Sequence, residues 1–201
     1  MRIRRSTSRV AVTGMLAATL LAACSDPAPE PTPTTTIAPP TTSPTPSSTP
    51  SHTPSVDPTM AAAEAAILDA YRGYWATKVK ILADPNTSAD SFAALWTQFS
   101  YYAVDTAQSD VGSTAYDLQQ NGIAVHGEPS LSPQVSDVTP EGSASIRDCV
   151  DATGWQPVYA ATGESAAVSG QASRLLTNST ALYYDNRWVI NASVVDRDTT
   201  C

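Results

Sequence analysis

Leu182-Tyr183-Tyr184-Asp185-Asn186-Arg187-Trp188-Val189-Ile190 reads as two strands joined by a two-residue turn. Large apolar and aromatic residues flank an Asp-Asn pair, and both residue types tolerate the positive φ that such a turn requires. Outward from the turn, residues 171–184 form a long strand rich in Leu, Thr and Tyr. Residues 187–197 form its partner, with Trp188, Ile190, Ala192 and Val194 on one face. A hairpin here commits the second half of the chain to antiparallel sheet.

The alternation extends upstream. Residues 144–150 alternate around Ile146. Ile123, Val125, Val135 and Val138 suggest one extended or bent strand, interrupted by Gly127, Pro129 and Pro133. Between these stretches, the segment with Gly154, Trp155, Pro157 and Gly163 reads as a loop.

Before Gly122 the period is helical. Asp57-Pro58 supplies an N-cap and a first helical residue. Ile67/Leu68, Tyr71, Tyr74/Trp75, Val79 and Leu82 then recur close to every 3.6 residues, until Asp84-Pro85 stops the pattern. Ser88 or Asp90 caps a second helix over residues 91–99, with Phe92, Leu95, Trp96 and Phe99 on one face, and Tyr101-Tyr102 marks a break. Residues 103–121 form a third helix, and Gly122 is placed as its C-terminal cap. Helices followed by an antiparallel meander define an α+β class, in which N-terminal helices pack on a curved antiparallel sheet.

The front of the chain is of another kind. Arg2, Arg4, Arg5 and Arg9 precede a mostly apolar run over residues 10–21. That run suits a signal-peptide core and falls short of the roughly 20 residues a membrane-spanning helix needs. It ends in Leu21-Ala22-Ala23-Cys24, which resembles the lipobox of bacterial lipoproteins. The resemblance implies a signal peptide over residues 1–23 and a diacylglyceryl group, with acyl chains of the palmitate kind, on the Cys24 thiol. It therefore implies a membrane anchor at Cys24 and an extracytoplasmic location. Two buried acyl chains hold a protein on a membrane far better than one.

Residues 24–57 are then a tether. Ten prolines among Thr and Ser cannot bury enough apolar surface to offset the entropy of ordering. Such a spacer reaches roughly 100 Å in extended polyproline form. It also offers hydroxyls for O-linked sugar. Residues 58–201 form a single globular domain. All 19 acids lie after Cys24 and four of the 11 bases before it, so the net charge moves from −8 to −12 once the leader is gone. A chain this acidic is repelled by nucleic acid.

With Cys24 claimed by lipid, Cys149 and Cys201 remain, in an oxidising compartment, and a single internal disulfide is expected. Two distant Cys and one His are too few for a metal site.

A second resemblance rests on Ala70-Tyr71-Arg72-Gly73-Tyr74-Trp75 in the first helix, Asp148-Cys149-Val150-Asp151, Arg187-Trp188-Val189 and the terminal Cys201. In that order, over residues 58–201, these motifs resemble exported lipoproteins of the nuclear transport factor 2-like (cystatin-like cone) superfamily. The resemblance implies a strongly curved sheet wrapped around the first helix, with a cavity at its open end.

Chemistry is sparse. His126 is the one histidine of the domain and reads as a surface or edge residue. No Gly-x-Ser-x-Gly elbow, dinucleotide fingerprint or phosphate loop is present, and no cofactor is implied. Asp148 falls on the face of Ile146 and Val150, where a carboxylate would have a raised pKa, and Asp151 falls on the other face. Asp148 is expected to be satisfied by backbone donors or by Arg147, Arg174 or Arg187. The Asn-x-Ser/Thr triplets at Asn86, Asn178 and Asn191 carry no further signal. Tyr71, Trp75, Tyr102, Asp148 and Trp155 are the candidate lining of a ligand cavity.

The expected function is a non-catalytic domain that binds a protein partner or a small apolar ligand in the cell envelope. Two alternatives stand beside it. One is a ketosteroid-isomerase- or cyclase-like enzyme using Asp and Tyr in the cone. The other is a scaffold subunit of an envelope complex.

Overall fold

The computed structural model describes residues 57–84 and 86–201. The expected signal peptide, the lipobox with Cys24 and the tether lie outside the described residues, apart from Asp57. Helix α1 runs Pro58–Ala83, and the Asp57 carboxylate accepts the Thr59 N–H at 2.8 Å as its cap. Its buried stripe is Ile67, Ala70, Tyr71, Tyr74, Trp75, Thr77, Ile81 and Leu82. Helix α2 runs Ala89–Ser100, capped by Ser88, and α3 runs Asp105–Asn121. Gly122 closes α3 at φ 63°, a left-handed conformation that glycine adopts without Cβ strain.

The third helix starts two residues later than its apolar pattern suggests. Residues 102–104 instead run beside the last strand: Ile190 N–H donates to Tyr102 O at 2.8 Å, and Val104 N–H to Ile190 O at 3.0 Å. No helix among the described residues is long and apolar enough to cross a membrane.

Six strands follow: β1 Ile123–Gly127, β2 Gln134–Ser136, β3 Ser143–Asp151, β4 Trp155–Tyr159, β5 Arg174–Tyr184 and β6 Arg187–Thr200. β2-β3-β5-β6 form a four-stranded antiparallel sheet, and β1-β4 form a separate antiparallel pair. Asp185 and Asn186 connect β5 to β6 at φ 51° and 59°. Both values are positive, as a type I′ turn demands.

Three expectations are corrected. The stretch from Ile123 to Val138 is not one bent strand: β1 pairs with β4, whereas β2 edges the larger sheet. The segment around Trp155 and Pro157 is not a loop but the strand β4. Pro157 lacks an N–H, yet its carbonyl still accepts from Ala166 at 2.9 Å, and a two-stranded ribbon tolerates the missing donor. Finally, Trp188, Ile190, Ala192 and Val194 do not share a face. Thr180 pairs with Ala192 and Ala181 with Ile190, so Asn191 is an extra, bulged residue. Beyond it the faces exchange, which leaves Val194 58% exposed. The bulged Asn191 donates to Asp105 at 3.1 Å, where α3 begins.

Cys149 on β3 and Cys201 at the end of β6 are joined in a disulfide, with Cα atoms 5.9 Å apart. The inner face of the large sheet carries Ala144, Ile146, Asp148 and Val150 from β3, opposite Ala181, Ser179, Thr177 and Leu175 of β5. α1 packs its aromatic stripe into this face.

Candidate functional site

The most buried polar contact lies between α1 and β3. Asp148 is 1% exposed and Tyr71 is fully buried. The Tyr71 hydroxyl donates to Asp148 Oδ2 at 3.0 Å, and the Ser132 backbone N–H donates to Oδ1 at 2.7 Å. Burial raises the Asp148 pKa, and the two donors oppose the rise. Burial also raises that of Tyr71, reinforced by the neighbouring carboxylate charge. The carboxylate has the expected backbone donor, and its side-chain partner is Tyr71 rather than an arginine. Arg174 instead approaches Asp151 at 3.8 Å, on the other face.

Trp75 extends this cluster. Its ring meets Tyr71 edge-on at 6.3 Å and Trp155 edge-on at 5.6 Å. Tyr71, Trp75, Asp148 and Trp155 are therefore brought together. Tyr102 is not with them. Its ring lies over Gly73, and it lines a surface groove of about 520 Å³ with Tyr101, Tyr183 and Trp188.

Lys78 carried no expected role. It lies three residues after Trp75 and seven after Tyr71, on the same helical face, and that spacing is the signal that could have found it. Its Nζ stands 4.2 Å from the Trp75 ring centroid and 5.9 Å from that of Trp155. Burial lowers its pKa to about 8, while the charge of Asp110 on α3 acts in the opposite direction. A cavity of about 150 Å³ is walled by Trp75, Lys78, Val150, Trp155, Thr177 and Arg197, among others.

A second groove, similar in volume to the one beside Tyr102, lies between α2 and α3. It holds about 510 Å³ and is lined by Phe92, Trp96, Gly112, Ala115, Tyr116 and Gln119, with Thr87 and Ala89. Phe92 and Trp96 stack along it at 5.7 Å. Tyr116 is 61% exposed at its rim. Phe92 and Trp96 sit at the i, i+4 spacing of the amphipathic α2, so half of this wall is legible in sequence. The Gly112 and Ala115 side of α3, which makes room for the rings, is not.

His126 is exposed at the end of β1. Among the described residues, no group of three or more His, Cys, Asp or Glu is arranged to hold a metal.

No family model matches the sequence, and no curated protein matches it. Among solved structures, the chain is similar to the intermembrane-space region of the chloroplast protein ARC6. The identity is 12% and the TM-score 0.44, over 72% of this chain and 100% of that one. It is also similar to a domain of unknown function with a cystatin-like fold from Nostoc punctiforme, at 14% identity and a TM-score of 0.39, over 69% of this chain and 79% of that one.

Proposed function

We propose that this chain is a lipid-anchored protein of the extracytoplasmic membrane face, held through Cys24, and that its folded domain is a non-catalytic binding module for a small apolar ligand. The observation that carries the binding role is the α2–α3 groove of about 510 Å³, walled by Phe92, Trp96, Ala115 and Tyr116. Small-molecule sites are concave, mostly apolar and of this volume. The basic leader, the lipobox and the Pro/Thr/Ser tether support the address. The acidity of the chain beyond Cys24 argues against a nucleic-acid partner.

Two measurements test this reading. Metabolic labelling with an alkyne analogue of palmitate should mark the wild-type chain and not Cys24→Ser. The neutral dye N-phenyl-1-naphthylamine should bind saturably, and Tyr116→Glu at the rim should weaken it. Equal labelling of both chains removes the anchor. Non-saturable dye uptake removes the apolar site. Protein cross-links formed at this groove would favour the envelope-scaffold alternative instead.

The Tyr71–Asp148 hydrogen bond supports a second reading, an isomerase-like proton transfer at Asp148. It ranks lower because both groups are shut away from solvent and each already satisfies the other. Catalysed exchange of an α-proton in a cyclic ketone, lost in Asp148→Asn, would reverse the ranking.

A further inference from the structure

The cavity beside Lys78 has a wall that asks for an acceptor. Two buried side-chain polar atoms among the described residues, Trp155 Nε1 and Thr177 Oγ1, lack a hydrogen-bond partner, and a third, Trp75 Nε1, has only the Tyr71 hydroxyl nearby. All three residues line this one cavity. Buried polar groups are ordinarily paired, and leaving one unpaired costs roughly 1–3 kcal/mol. Indole nitrogens only donate, and a lysine ammonium only donates. Trp75 and Thr177 are 3% and 1% exposed, so bulk water does not serve them.

Lys78 adds the charge. None of the ion pairs or side-chain hydrogen bonds among the described residues includes it; its ammonium rests on indole faces. Asp110 from α3 is the charged group that acts on it, and the exposed Arg197 from β6 lines the same cavity. The wall itself carries two cations, Lys78 and Arg197, and no carboxylate, which suits an anion. The rest of the wall is hydrocarbon, chiefly Val150, Leu175 and the two indole rings. A cavity of this volume accommodates a molecule about the size of benzene.

We propose that the cavity walled by Trp75, Lys78, Trp155 and Thr177 is a binding site for a small monocarboxylate. Lys78 and the unpartnered donors take the carboxylate, and the rings and aliphatic side chains take its hydrocarbon part. This site is separate from the α2–α3 groove and does not depend on the reading of that groove.

Calorimetric titration of the detergent-solubilised full chain with benzoate tests it, with benzyl alcohol as the uncharged analogue of similar shape. Benzoate should bind saturably and about ten-fold or more tighter than benzyl alcohol, the scale of a charge-assisted hydrogen bond. Lys78→Met should abolish that preference, whereas Lys80→Met, on the exposed side of the same helix, should leave it intact. Thr177→Val, which keeps the shape and removes the hydroxyl, should weaken benzoate several-fold. Absence of saturable benzoate binding, equal binding of the alcohol, or unchanged affinity in Lys78→Met would each overturn the proposal. Uptake of the neutral dye measured on the same samples reports the α2–α3 groove independently, so either site can fail alone.

Discussion

The Tyr71 hydroxyl and the Asp148 carboxylate meet at 3.0 Å across 77 residues of chain, and both are buried. One hydrogen bond thus fixes the rotation of α1 against the register of β3. Tyr71→Phe leaves the carboxylate with the Ser132 N–H alone, at an expected cost of about 1–3 kcal/mol. Urea unfolding with an unchanged m-value measures it, and an unmoved midpoint would show that the bond contributes nothing net.

The same carboxylate makes stability depend on acidity. Its folded pKa is raised above the ordinary 3.8 by burial. The folded chain therefore keeps a proton that the unfolded chain releases. Stability falls as pH rises from 3.8 toward the folded value, and is level above it. Subtracting the stability–pH curve of Asp148→Asn from that of the wild type should isolate this slope. Parallel curves would contradict the assignment.

Lys78 gives the opposite slope at alkaline pH. Its folded pKa is lowered from 10.5 to about 8. Between these values the unfolded chain holds the proton and the folded chain does not, so stability rises with pH across that window. In Lys78→Met this rise should vanish. Thermal unfolding between pH 8 and 10 distinguishes the two.

Gly73 packs beneath the Tyr102 ring, and a Cβ there would run into the ring carbons. Alanine normally favours a helix by about 1 kcal/mol over glycine. Here overpacking should outweigh that gain, at about 1–3 kcal/mol. Gly73→Ala should destabilise the wild type yet stabilise a Tyr102→Ala background. A stabilising effect in both backgrounds would mean that the ring moves aside freely.

The Cys149–Cys201 bridge spans 52 residues of sequence. On the chain-entropy description, closing a loop of that length stabilises by roughly 4 kcal/mol. A Cys149→Ser/Cys201→Ser chain should lose about that much, and the native protein should show no thiol reactivity at either position before reduction.

Local signals carried most of the α+β order. α1 was legible because its cap, its aromatic period and its stop at Asp84 all agree, and the β5–β6 turn because Asp-Asn between apolar runs has few other readings. β4 was hidden because Pro157 and Gly154 look like punctuation, and its partner β1 lies some 30 residues upstream. The bulge at Asn191 was hidden for a different reason. One extra residue exchanges the faces of everything after it, and the hydrogen bond to Asp105 that accompanies it joins residues 86 apart. Tyr71, Trp75 and Asp148 lie on faces that helix and strand periodicity predict, whereas the place of Trp155 beside them depends on β4, which the sequence hides. Lys78 gives no such signal beyond its spacing, because a lone lysine on an apolar stripe ordinarily reaches out to water.

The covalent ring from residue 149 to residue 201 encloses the exposed segment between β4 and β5. A protease that nicks the backbone there cannot release a fragment. The two pieces stay attached through sulfur and through the strand pairs on either side of the cut. Nicked and intact chains should run as one band until a reductant is added, and then part. Separating residues 174–201 from the rest by one such cut requires an electron source as well.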